Sequence, residues 1–232
     1  MANTKSPQPI SIAELQLFMG IFAHEVKTQL AGVVAMSEYA LQDKNPSYYL
    51  KTITVGVAGS LLVLDNLLKA IQANNGYLNI EAKPKSFQLH DLLQQIAMAF
   101  KIESAIQEKK LEVNLHPYWQ KNPVVTDKLI LTQVLYNLVT NALKWSYRDS
   151  TITISAQVDP LHCHITVENI GNTIPPAKAA LLFEPFYRLD NGYAGTGLGL
   201  YISRLYVEAL GGTISVSSSN NYTAFTVKVP YH

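Results

Sequence analysis

The sequence predicts an α+β fold in which a helical hairpin is followed by an α/β two-layer sandwich. Three observations support this class. Apolar residues recur in a heptad pattern through the first third of the chain, strand-like and helix-like patterns alternate in the remainder, and the later strands form hairpins. Antiparallel hairpins with separate helices favour a two-layer sandwich over a doubly wound parallel sheet.

Two apolar stripes predict a pair of long helices in the first third. The first stripe repeats in alternate steps of three and four, as in a heptad seam; it consists of Met19, Phe22, Val26, Gln29, Val33, Met36 and Ala40. The second consists of Leu50, Ile53, Val57, Leu61, Leu64, Leu68 and Ile71. Pro46 marks the turn between the helices, and Asn74 to Gly76 marks the end of the second. One hairpin cannot bury both stripes, whereas two copies form a four-helix bundle, so we expect a homodimer through residues 11–75.

The alternating part begins near residue 78, which predicts two domains, 11–77 and 78–232. Predicted helices cover 90–108, 127–145 and 198–210, and predicted strands cover 87–89, 111–115, 151–158, 163–168, 213–217 and 223–229. Asp159–Pro160 is typical of a hairpin turn. Along the strand that follows, Cys163 points to one face and His162 and His164 to the other. A half-buried strand is therefore favoured over a His-Cys-His metal cluster.

The composition describes a folded, near-neutral protein. Its 232 residues include 18 Lys and Arg against 17 Asp and Glu, a net charge of +1, and 48% of them are hydrophobic. Basic nucleic-acid-binding domains usually have a pI above about 9, so we expect no nucleic-acid partner. No stretch reaches the roughly 18 apolar residues of a membrane span, and no signal peptide is recognisable. The single cysteine excludes an internal disulfide framework and a cysteine-based zinc site. We expect no direct membrane insertion of this chain and a reducing, cytoplasmic location.

Four short motifs contain residues suited to chemistry. A glycine-rich stretch from Gly195 to Leu200 opens a helix, whose free N–H groups suit phosphate. A loop precedes it, which excludes a dinucleotide-binding βαβ unit, and a turn without ligand is the alternative. Asn137 and Asn141 share one helical face with Lys144, next to the flat ring of Trp145. Amide oxygens suit Mg²⁺ and Lys144 suits phosphate, whereas a solvated helix face is the alternative.

The other two motifs are shorter. Asn169-Ile170-Gly171 leaves a strand and is followed by Ile174 and two prolines, which is also the pattern of a simple β-turn. His24 and Glu25 lie on the first helix, and His24 falls at the heptad position opposite the seam. An exposed histidine beside a carboxylate can be a nucleophile or proton carrier, although most surface histidines have neither role.

In this order and at these separations, the motifs resemble those of the transmitter core of sensor histidine kinases. Residues 22–30 resemble the phospho-acceptor box, 133–146 the asparagine box, 167–174 the first glycine box, 183–188 the phenylalanine box and 195–200 the second glycine box. The resemblance covers about residues 11–230, nearly the whole chain. Five motifs in order are far more specific than any one of them.

The resemblance implies a Bergerat-type sandwich that binds ATP with Mg²⁺. In that family pattern Asn141 would ligate Mg²⁺, with Asn137 supporting the metal–phosphate cluster. Asn169 would accept the adenine amino group, and Trp145 would face the base or ribose. The remaining implied ATP contacts are Lys144, Gly171, Ile174, Arg188, Gly195, Thr196, Gly197, Leu198 and Gly199.

The resemblance also implies a reaction. His24 would attack the γ-phosphate with Glu25 accepting its proton, and the phosphoryl group would pass to an aspartate on a response-regulator receiver domain. Glu25 and Thr28 match the pattern that family members use to dephosphorylate the regulator. The stimulus would come from an upstream sensor domain or a separate sensor protein, with membrane tethering through an upstream region as an open alternative.

The sequence departs from the family pattern at three places, of which Asn169 and the short lid support a competing hypothesis. Asn169 stands where the family usually has a carboxylate. Charge-assisted hydrogen bonds are roughly twice as strong as neutral ones, so the hydrogen bond from adenine to this amide would be weaker. Gln29 replaces a proline, and the lid at 189–194 is short. A nucleotide-binding pseudokinase or signalling dimer is therefore the alternative function. A chaperone-type or topoisomerase-type ATPase is disfavoured because those enzymes need an acidic residue near Asn137, and an amide is not a general base.

Overall fold

The computed structural model describes residues 80–115, 117, 122–189 and 196–231, together with Lys27, 30–31, 33–35, 37–42, Ile53, Val57, Lys69 and Gln72. All the described residues before 73 are helical. The predicted His24, Glu25, Thr28, Gln29 and Gly195, the turn at Pro46 and the lid residues 190–194 lie outside the described residues. None of the helices within the described part is long and apolar enough to cross a membrane.

The chain divides into two compact units. One comprises residues 1–79 with 185–202, and the other comprises residues 80–184 with 203–232. The second unit begins close to the predicted boundary at residue 78. The predicted domain bounds themselves stay a prediction, because 185–202 groups with the first unit.

The elements after residue 79 alternate as the sequence predicts. In chain order they are β1 (Lys85–Gln88), α1 (Leu89–Ile106), β2 (Lys110–Leu115), β3 (Pro123–Thr126), α2 (Lys128–Trp145), β4 (Thr151–Val158), β5 (His162–Ile170), α3 (Pro176–Ala179), α4 (Gly199–Ala209), β6 (Thr213–Ser219) and β7 (Tyr222–Pro230). A 3-10 turn, Ala180–Phe183, follows α3. The start of α2 agrees with the prediction because the Asp127 carboxylate caps it, accepting the backbone N–H groups of Leu129 and Ile130 at 2.9 and 3.0 Å.

Five strands form one mixed sheet in the order β2-β4-β5-β7-β6. Only β2 and β4 run parallel, joined through β3 and α2, and the other neighbours are antiparallel. Two short strands, β1 and β3, pair separately. The sequence predicts β1 two residues late, since Leu89 begins α1, and does not predict β3.

One face of the sheet forms the core. Alternate residues of each central strand are buried: Ile152, Ile154 and Ala156 in β4, Cys163, Ile165 and Val167 in β5, and Phe225, Val227 and Val229 in β7. Helix α1 contacts β2 and α2, and α2 contacts β5. The opposite face is half-exposed and polar; His162 and His164 lie there beside Asp159. This arrangement confirms the predicted α+β sandwich and the half-buried strand at Cys163.

Candidate functional site

The last turns of α2 place the predicted amides on one half-buried side of the helix. Asn137, Asn141 and Lys144 fall within about 60° of arc at 100° per residue, and all three side chains are half-buried. The ammonium of Lys144 lies 5.1 Å from the centre of the Trp145 ring. Eight other side chains of the helix are apolar and buried in the core. The polar side chains therefore form a stripe beside the core, as the sequence spacing predicts.

A buried serine holds the first of these amides. Nδ2 of Asn137 donates to Oγ of Ser203 at 2.8 Å, and Ser203 is only 2% exposed. Ser203 lies on α4, four residues after Gly199. The bond orients the Asn137 amide and leaves its oxygen for a ligand. Sequence analysis missed Ser203, which continues the row of buried side chains of α4 formed by Tyr201, Ile202, Tyr206 and Val207.

Asn169 occupies a position where the pattern of β5 calls for an apolar residue. Cys163, Ile165 and Val167 face the core, and Asn169 continues this row while being only 4% exposed. Burying an amide without a hydrogen bond is costly. None of the side-chain hydrogen bonds found among the described residues involves this amide. A ligand that pairs with it would remove that cost.

Gly171 brings the end of α2 against the end of β5. Ser146 and Gly171 form a β-bridge, and the N–H of Tyr147 donates to the carbonyl oxygen of Ile170 at 2.9 Å. A Cβ at Gly171 would lie 2.1 Å from the carbonyl oxygen of Trp145 and 3.1 Å from Nδ2 of Asn169. Only glycine permits this approach. The structure thus brings together the Trp145 and Asn169 motifs, which are 24 positions apart in the chain.

A chain of hydroxyl groups lines the same corner of the sheet. Thr223 is directly opposite Asn169 in the β5–β7 ladder and is 4% exposed. Its Oγ1 lies 2.8 Å from Oγ of Ser218, which accepts the backbone N–H of Ile174 at 2.9 Å. This hydrogen bond holds the backbone of Ile174 near the end of β6. Sequence analysis missed Thr223, although the buried row of β7, like that of β5, ends in a polar residue.

The glycine-rich loop is fixed by a close backbone contact within the first unit. Gly197 has φ +70°, and its carbonyl oxygen accepts the N–H of Phe186 at 3.1 Å. A Cβ at Gly197 would lie 2.7 Å from the Phe186 carbonyl carbon, so glycine is required there. Leu198 is fully buried, its N–H donates to Thr196 Oγ1 at 3.3 Å, and α4 begins at Gly199. Arg188 is half-buried.

Comparison with known proteins agrees with the predicted fold and with the family resemblance. Residues 126–232 match the family described as histidine kinase-, DNA gyrase B- and HSP90-like ATPase. The chain is 30% identical to hybrid signal transduction histidine kinase A of Dictyostelium discoideum over 87% of this chain and 10% of that protein. It is 28% identical to sensor histidine kinase CusS of Escherichia coli K12 over 92% of this chain and 45% of that protein. It is 30% identical to sensor protein VanSC of Enterococcus gallinarum over 90% of this chain and 58% of that protein. The chain therefore spans less than two thirds of each of these relatives.

Solved structures of histidine kinases share the fold. Acinetobacter baumannii AdeS has a TM-score of 0.62 at 23% identity, covering 90% of this chain and 98% of that one. Full-length ShkA in complex with AMPPNP has a TM-score of 0.65 at 23% identity, covering 93% and 46%. ThkA in complex with the response regulator TrrA has a TM-score of 0.64 at 19% identity, covering 95% and 63%. Residues 126–232 thus match the histidine kinase-, DNA gyrase B- and HSP90-like ATPases, and most of the chain is similar in sequence to parts of sensor histidine kinases.

Proposed function

We propose that this chain phosphorylates itself on His24 with ATP and Mg²⁺ and passes the phosphoryl group to an aspartate of a response regulator. The observation that carries the proposal is the junction of α2 with β5. There Gly171 packs against the Trp145 carbonyl and lies beside the buried amide of Asn169. Two motifs that the family resemblance assigns to the nucleotide are therefore adjacent.

The described residues suit a nucleotide with its metal. We propose that Asn169 and Trp145 bind the base, that Lys144 and Arg188 bind phosphates, and that the backbone of 195–199 holds the phosphate chain. Asn141 would hold Mg²⁺. Asn137 would assist, since Ser203 occupies its Nδ2 and leaves a hard oxygen ligand. When bound, Mg²⁺ neutralises charge on the phosphates. Gly171 and Ile174 would shape the base site.

The proposed reaction is a phosphoryl transfer in two steps. A ring nitrogen of His24 attacks the γ-phosphorus in line, the bond to the β-phosphate bridging oxygen breaks, ADP leaves, and Glu25 accepts the proton of the ring. The regulator aspartate then attacks the same phosphorus and His24 leaves. Such transfers depend on positioning and charge neutralisation more than on covalent assistance. We further propose that Glu25 and Thr28 support dephosphorylation of the regulator.

We propose that the chain acts as a homodimer through residues 11–75. Val57 of the second apolar stripe is helical and 40% exposed in one copy, and Leu30, Val34 and Leu41, which adjoin residues of the first stripe, are helical and 47%, 57% and 87% exposed. A second hairpin would cover such residues in a four-helix bundle. The ThkA complex supports a response-regulator receiver domain as the other partner. Since the reaction consumes ATP, we place it in the cytoplasm, under control of an upstream sensor domain or a separate sensor protein.

Labelling of the purified chain with γ-³²P-ATP and Mg²⁺ tests the proposal. We expect acid-labile, alkali-stable label in the wild type and none in His24→Gln. His162→Gln is the matched control, because His162 lies on the open face of the sheet, and it should keep the label. Absence of label in the wild type at every Mg²⁺ concentration, or label that survives in His24→Gln, would overturn the proposal.

The alternative is a nucleotide-binding pseudokinase or signalling dimer that controls a partner without phosphoryl transfer. The observation in its favour is Asn169, a neutral amide where the family usually has a carboxylate. Calorimetry separates the two functions. ATP binding with Mg²⁺ in a wild-type chain that never becomes labelled favours the alternative.

A further inference from the structure

We propose that Asn169 sets the base selectivity of the nucleotide site, and that its amide lets the chain bind 6-oxopurine triphosphates such as ITP as well as ATP. The inference rests on the proposed function, since it takes this site to be the one that receives the base. It concerns which purines the site accepts, and it follows from how the Asn169 side chain is held.

The side chain of Asn169 is almost completely buried, and its amide is not paired. It is 4% exposed, and none of the side-chain hydrogen bonds among the described residues uses its amide. In that part of the chain, Nδ1 of His90 is the one fully enclosed side-chain N or O atom without a partner. The polar atoms of the unpaired Asn169 amide therefore keep some accessible surface.

The neighbours of Asn169 do not select one orientation of its amide. The β4–β5 ladder ends at Thr153 and Glu168, so no β4 residue is paired with Asn169. On the β7 side the hydroxyl of Thr223 is engaged with Ser218 at 2.8 Å. Asn137 is the contrasting case, because Ser203 holds its Nδ2 at 2.8 Å. One amide of the site is anchored, and the other can rotate without breaking a protein hydrogen bond.

A rotatable amide matches two kinds of purine edge. Adenine presents an N6–H donor beside the N1 acceptor. An asparagine can pair with both, because its Oδ1 accepts from N6–H and its Nδ2 donates to N1. A 6-oxopurine presents the O6 acceptor beside an N1–H donor, which the same amide matches after a half-turn about χ2. An ionised carboxylate only accepts. The carboxylate oxygen that accepts adenine N6–H at the 6-position of the base would face O6 of a 6-oxopurine there, and two acceptors of negative charge repel each other.

Competition binding of ATP and ITP to the full chain with Mg²⁺ tests this inference. For the wild type we expect Kd values for ATP and ITP within about tenfold of each other. Asn169→Asp should increase the ITP-to-ATP ratio of Kd at least about tenfold, because buried polar groups left unpaired produce strong discrimination. Asn172→Asp is the matched control for added charge. Asn172 lies in the exposed turn after β5 and accepts the Tyr147 hydroxyl, and this change should leave the ratio unaltered.

The outcomes separate the two levels of the proposal. Tight ATP binding with more than tenfold rejection of ITP by the wild type would overturn the inference and leave the proposed function standing. An unchanged ratio in a folded Asn169→Asp variant would do the same. A wild type that binds neither nucleotide would overturn the proposed function, and with it the inference.

Discussion

Substitution of Gly171 by alanine tests whether the α2–β5 junction organises the site. The new Cβ would lie 2.1 Å from the carbonyl oxygen of Trp145, where ordinary contact begins at 3.4 Å, so the two backbones must separate by about 1.3 Å. The Trp145 carbonyl oxygen belongs to the backbone, so no flexible side chain can move aside to relieve the contact. The strain must therefore move the end of α2, which carries Lys144 and Trp145, or the end of β5, which carries Asn169.

The size of the effect follows from overpacking. Forcing an extra methyl group into a packed region costs about 1–3 kcal/mol, and each kcal/mol lowers Tm by about 2–4 °C in a protein of this size. We expect Gly171→Ala to unfold about 2–12 °C below the wild type. We also expect ATP to bind at least about tenfold more weakly, which corresponds to about 1.4 kcal/mol, because the base site and the phosphate site shift relative to each other.

Gly212→Ala is the matched control. A Cβ there would lie 2.2 Å from the carbonyl oxygen of Lys228, so the steric fault is of the same kind. Lys228 is five residues along β7 from Thr223, about 17 Å at ~3.4 Å per residue. Both variants should lose stability in differential scanning calorimetry. Only Gly171→Ala should lose ATP affinity in calorimetric titrations at a temperature where both are folded. Equal losses of affinity in the two variants, or unchanged affinity in Gly171→Ala, would refute the reasoning.

Three further predictions concern buried or paired groups. Burial raises the pKa of the Cys163 thiol to about 12, so at pH 8 the native protein should react with a thiol reagent at least about a hundredfold more slowly than in urea. Hydrogen bonds, first from His164 and then from backbone N–H groups, hold the pKa of Asp159 well below its usual range. Asp159→Asn should lower Tm at pH 7. A carboxyl group whose pKa is lower in the folded than in the unfolded protein stabilises the fold at pH values above the unfolded pKa, and this stabilisation is lost as the pH falls. The difference in Tm between variant and wild type should therefore shrink below about pH 4. Ser203→Ala removes the partner of Asn137 and should cost about 1 kcal/mol in urea unfolding, while weakening Mg²⁺-dependent labelling more than ATP binding.

The fold was predictable where local patterns determine it. Helix α2 has an apolar period of three to four residues and an aspartate cap at Asp127, both readable over one stretch of chain. The β4–β5 hairpin was predictable from alternation on both sides of Asp159–Pro160. The pairing of β1 with β3 was not, because each strand has four residues and the ladder joins Lys85 to Thr126 across a whole helix and strand. Four residues give too short a pattern to distinguish a strand from a loop.

The candidate site was predictable in residue type but not in its supports. The spacing of Asn137 and Asn141 places both on one side of α2 without any knowledge of the fold. Ser203 is 66 positions from Asn137, and Thr223 is 54 positions from its neighbour Asn169. Such partnerships arise from register and helix packing, which a single sequence does not specify. The sequence does show where a polar residue stands in a row of apolar residues, and both Ser203 and Thr223 stand in such a row.

The location of the corner follows from how the buried rows end. The core-facing row of β5 runs from Cys163 to Asn169, and that of β7 runs in the opposite direction from Val229 to Thr223, so antiparallel pairing brings the two polar ends side by side. Helix α2 ends at the same corner because Gly171 has no Cβ to keep the Trp145 carbonyl away. The core-facing residues of β5 and β7 are thus apolar along each strand except at this corner, where the proposed ligand would lie. A larger apolar residue at Asn169 would extend the core into the corner, and so the amide is better explained by binding than by stability.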